Sequence, residues 1–123
     1  MNINVIRKAV QVKPEEMNMY HFATCCGTAG CIAGNCLFQH GMWPKMIEGS
    51  LCFEFVPEKV AGDLMGLNVE QANRLFYVEE WPKPFSWEGH VVDDEKKVLT
   101  PGTLEYLHRV QQRAEYFIGS GGK

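Results

Sequence analysis

From Tyr20 to Pro44 the chain carries no Asp, Glu, Lys or Arg. A stretch of that length without charge has to be buried, either in lipid or in protein. A membrane-spanning helix needs about 20 mostly apolar residues, and here Asn35, Gln39, His40 and several glycines interrupt the run. The reading that follows is a helix buried in protein, capped by Thr28, running to about His40 and stopped by Gly41. Apolar on every face, such a helix belongs at the centre of a fold. Gly30 and Gly34, one turn apart and beside Ala33, would let a neighbouring helix approach closely.

The remaining sequence sets the class. With 123 residues, 46% of them apolar and 22% charged, residues 1–123 read as one globular domain with a core of its own. A net charge of −3 with scattered Lys and Arg argues against a nucleic-acid partner, and nothing resembles a membrane-surface patch. The amino-terminal residues, with Arg7 and Lys8 among them, do not read as a signal peptide. An odd count of five cysteines then points to reduced thiols and a cytoplasmic location.

Along the chain, Ile3, Ile6 and Val10 keep helical spacing until Pro14, and residues 15–24 read as an extended connection. "SLCFEFV" (50–56) alternates like one short strand. Pro57 suits the first turn of a helix reaching Met65. Gly66 then ends that helix, and Asn68 with Gln71 forms a capping box for the next. "WPKPFSW" (81–87) is stiffened by two prolines. Thr100-Pro101 opens a last helix with the stripe Leu104, Leu107, Val110, Ala114 and Phe117, stopped by Gly119. The expected fold is all-α: a compact bundle of about five helices around a central Gly/Cys-rich helix, with room for one short strand or hairpin.

"CGTAGCIAGNC", "LMGLNVEQANRLF", the "WP" at 81–82 and the ending "FIGSGGK" together resemble an uncharacterised set of small bacterial and phage proteins. These share a CGT-x-x-C-x-A-G core, an L-G-L…A-x-x-L-F segment and W-P. The resemblance spans about Pro14 to Lys123. It departs at "MNMYHF", where a Phe-Asp-Met start is more usual, and at Asn35, where an aromatic residue is common. It implies a shared fold unit and a bacterial or phage source, and it carries over no catalytic residue.

Four chemistries compete for the central stretch. His21, Cys25, Cys26, Cys31, Cys36 and His40 are zinc-ligand types, but strung along one helix they rotate off a common face. Buried cysteines filling a tight contact are the simpler account, so no metal and no cofactor is expected. Cys26, at a helix amino end with His21 as base, would be the nucleophile of a small thiol enzyme. Gly27, Thr28, Ala29 and Gly30 would present helix amides to an anion. Against both stands the plain helix cap.

Elsewhere, the Pro-fixed Trp81 and Trp87 could stack a ligand or simply plug the core. His90 with Asp93-Asp94 has poor metal spacing. "GSGGK" lacks the context of a P-loop. The expected function is therefore a small cytoplasmic binding module rather than an enzyme, for an anionic small molecule or a protein partner. Its expected pocket is walled by Gly27–Gly30, His21 and Trp81 or Trp87. The thiol enzyme using Cys26 is the alternative.

Overall fold

The computed structural model describes residues 1–21 and 30–123. Among them are five α-helices and two small antiparallel hairpins, so the fold is mixed α/β, dominated by helix, and not the all-α bundle expected. The hairpins arise where two-residue Glu-Gly turns reverse the chain. The first joins β1 (Lys45–Ile47) to β2 (Ser50–Cys52), and the second joins β3 (Ser86–Trp87) to β4 (His90–Val91). In both turns Glu and Gly take positive φ, the geometry that matches strand twist. Asn and Asp are the usual first residues of such a turn and glutamate is uncommon there, and neither turn was read from the sequence.

Helix α1 (Ile3–Val10) is capped by the Asn2 side chain, which accepts from Val5 N, and it buries Ile6, Ala9 and Val10. Burying an aliphatic side chain such as Ile6 stabilises by about 1.5–3 kcal/mol. After a single 3-10 turn at Pro14–Glu16, the chain pairs in parallel with Gly30: Asn18 N donates to Gly30 O (2.9 Å) and Gly30 N to Glu16 O (3.1 Å). That pairing holds Gly30 outside the helix. Helix α2 spans Ile32–Gln39, with Cys31 as its cap residue, the sulfur accepting from Gly34 N at 3.5 Å. The expected cap Thr28 lies outside the described residues. Asn35 makes the join rigid: buried on α2, its Nδ2 donates toward the carbonyls of Glu16, Gly30 and Cys31 at 2.8–3.1 Å.

The middle of the chain follows its sequence signals. Helix α3 (Pro57–Met65) ends at Gly66, whose φ of 69° is left-handed. Helix α4 (Val69–Phe76) starts with the Asn68/Gln71 capping box. Gly62 lets the two meet, since a Cβ there would stand 3.2 Å from that of Ala72. Helix α5 (Leu104–Gly119), capped by Thr103, buries Tyr106, Leu107, Val110, Ala114 and Phe117 against α1 and the second hairpin.

Two arginines sit in that face. Arg109 donates to the carbonyls of Val92 and Pro84 and to Gln112, and pairs with Asp94. Arg113 is fully buried, with Nη2 reaching Arg74 O and Lys123 O, while Nε and Nη1 have no partner among the described residues. The faces of Trp81, Tyr116 and Phe117 surround it at 5.5–5.9 Å, and burial pushes its guanidinium down to about 10. No helix among the described residues is long and apolar enough to cross a membrane.

Candidate functional site

After the 3-10 turn the chain bridges at Met17 and then turns at Met19–Tyr20, with His21 N donating to Asn18 O at 3.4 Å. Met17 and Met19 are buried, and Met19 N donates to the Tyr106 hydroxyl of α5 at 3.0 Å. Tyr20, in that turn, and His21, just past it, are left at the surface. Tyr20 reaches across to the second hairpin, its hydroxyl 3.1 Å from His90 Nδ1 and its ring edge-on to the imidazole. His21 is held through its backbone, its carbonyl accepting from Cys31 N at 2.8 Å.

Two concavities open on this segment. One is a cavity of about 240 Å³ walled by Tyr20, His21, Tyr77, Cys31, Glu79 and Gly89. The other, about 480 Å³, adds Glu58 and the aromatic side chains of Phe53 and Phe55. Tyr20, His21 and Tyr77 belong to both, so the two adjoin across a shared wall of rings, with Glu79 on one side and Glu58 on the other, and are called the cleft below. Each element supplies its residue at an end: Tyr77 closes α4, Glu58 lies in the first turn of α3, and Glu79 lies in the 3-10 turn Val78–Glu80.

The field in the cleft is negative. Burial pushes the Tyr77 hydroxyl above its ordinary value, and the carboxylates of Glu58 and Glu79 push it further. Tyr20 is raised in the same way, by burial first and then by Glu79, with a hydrogen bond from the Val91 backbone opposing. No Lys or Arg is among the described residues lining either concavity.

The residues expected from sequence are distributed unevenly. His21 lines the cleft. Gly30 is buried, and its amide is already given to Glu16, so it offers no donor to an anion. Gly27, Thr28, Ala29 and Cys26 lie outside the described residues. Trp81 is core: buried, with Nε1 donating to Leu75 O at 2.9 Å. Trp87 is 38% exposed, with the ammonium groups of Lys96 and Lys83 at 4.4 and 5.4 Å from its ring. Both tryptophans line a separate depression, which shares only Glu79 and Gly89 with the His21 cavity.

Burial sets the chemistry of the described thiols. It pushes Cys31 up to about 11 and Cys36 up to about 12, which keeps both protonated and poorly nucleophilic near neutrality. Cys36 lies near His40, but among the described residues no three His, Cys, Asp or Glu gather as a metal would require.

Tyr77, Glu79 and Glu58 were missed in the sequence because each sits at an element end, where periodicity carries no signal. "FYVEEWP", with its paired glutamates just past a helix end, is the nearest available cue. No family model, curated protein or solved structure matches the chain.

Proposed function

We propose that this protein is a small binding module whose cleft at Tyr20, His21 and Tyr77 takes the positively charged end of an organic amine. The observation that carries the reading is the lining: aromatic rings between two carboxylates, Glu58 and Glu79, with no described Lys or Arg. A cation gains from the faces of such rings by about 0.5–2 kcal/mol. It gains again from carboxylates in a partly desolvated cleft, where charges act more strongly than in water. The anion expected from the sequence would meet both carboxylates as like charges, so the described walls favour the opposite sign of ligand.

Cys31 and Cys36 are kept protonated by burial and suit a packing role, while Cys26, the nucleophile of the alternative thiol enzyme, lies outside the described residues. A reducing cytoplasm in a bacterial or phage setting suits the thiols that stay free, Cys31, Cys36 and Cys52. The test is thermal stabilisation by alkylamines and polyamines, set against acetate and phosphate at matched ionic strength. Amines raise the melting temperature of the protein, and the rise is lost in the Glu58→Gln/Glu79→Gln double variant. Stabilisation by anions alone, or amine stabilisation that survives the double variant, overturns the reading.

A further inference from the structure

We propose that β1 is the dimerisation edge of this protein, pairing antiparallel with β1 of a second copy to make a four-stranded sheet; this stands independently of the cleft. Strand neighbours point to opposite faces. Met46 is 64% exposed and Ile47 43%, so neither face of β1 is covered by the described residues. The hairpin contacts chiefly itself. Two strands alone are marginally stable in water, and an uncovered edge with apolar side chains invites a further strand.

The geometry of the edge selects the occupant. In a hairpin with a two-residue turn, the pair flanking the turn exchanges hydrogen bonds and the next pair does not. Here Ile47 and Ser50 flank the turn and Met46 faces Leu51. The N–H and C=O of Met46 therefore both point outward. A twofold axis at Met46 lets each copy donate one of these bonds and accept the other, with no shift of register. It sets Lys45 opposite Ile47 of the second copy, so no like charges face each other, while the Lys45 ammonium keeps its own Glu54 at 3.4 Å.

The apolar area is of the right size for a small interface. With aromatic side chains burying about 150–250 Å² each and aliphatic ones somewhat less, the exposed parts of Trp43, Met46 and Ile47 come to roughly 350 Å². Two copies would then remove about 700 Å² from water, the size of a weak, concentration-dependent association.

Sedimentation velocity from low to high micromolar concentration tests this, together with amide exchange at Met46. The protein is expected to pass from monomer to dimer, and the Met46 amide to slow in exchange as the dimer forms while that of Leu51 does not. Met46→Lys weakens association by about tenfold or more. Val69→Lys, at a side chain 73% exposed on α4, leaves it unchanged. A chain that stays monomeric throughout, or a dimer whose Met46 amide keeps its monomer exchange rate, overturns the proposal. So does a dimer undiminished in Met46→Lys. The exchange measurement on the unsubstituted protein decides the matter even if a variant folds poorly.

Discussion

Glu48–Gly49 and Glu88–Gly89 make the same turn, with φ of 51° and 82° in the first and 50° and 79° in the second, yet the hairpins they close have opposite fates. The second is part of the core: Ser86 and Val91 are buried, Val91 continues into buried Val92, and Arg109 of α5 holds the carbonyls of Pro84 and Val92. The first is largely open to solvent: Met46 and Ile47 of β1 are exposed, and only Leu51 and Cys52 of β2 turn towards the concavity of Tyr20 and Tyr77. Turn chemistry decides where the chain reverses, and long-range contacts decide whether the product is core or surface.

Removing the clamp gives the largest expected effect. Arg109→Ala strips the buried Val92 carbonyl and the part-buried Pro84 carbonyl of their donor and removes the tie between α5 and the second hairpin. A loss of about 2–3 kcal/mol in urea unfolding is expected. A loss under about 1 kcal/mol would mean that the two hairpins differ less than their burial suggests.

Thiol reactivity contrasts the two environments next. Cys52, exposed on β2, alkylates like an open thiol, whereas Cys31 and Cys36 react about a hundredfold more slowly at pH 8, as peptide mapping by mass spectrometry reads it. Since Cys31 titrates near 11 when folded against an ordinary 9.0, the unfolded chain loses this proton first. The stability this thiol contributes is whole below about pH 9 and falls as pH climbs towards 11. Cys31→Ala flattens that slope. Equal alkylation rates at all three sites would contradict the burial of α2.

The smallest effect is the most discriminating. Both turn glycines need positive φ, so alanine at either costs its hairpin about 1 kcal/mol. Gly89→Ala is expected to show that cost in global unfolding. Gly49→Ala is expected to leave the global transition nearly unchanged, because a hairpin with few ties to the body opens by itself. Equal losses from the two would show that the first hairpin is coupled to the core after all.

The same division marks how much was legible beforehand. α1, α3 and α4 announced themselves through Pro14, Pro57, Gly66 and the Asn68/Gln71 box, all local devices. The start of α2 was misplaced because it depends on Gly30 pairing with Met17 and on Asn35 tying three carbonyls, contacts that join distant parts of the chain. Strand β2 was seen only as part of a longer strand, and β1 was not seen, because three residues are too few for alternation to register. Of the site, His21 was read as a wall, but Trp81 belongs to the core, and the acidic residues came from element ends without pattern.

The sign of the ligand is tested most directly by following backbone amide shifts of the labelled protein during titration with a simple alkylammonium, and separately with acetate at equal ionic strength. Saturable shifts at Tyr20, Tyr77 and Glu79 with the ammonium, and none with acetate, are the predicted result. Shifts there with acetate, or none with the ammonium, would contradict a cation-binding cleft.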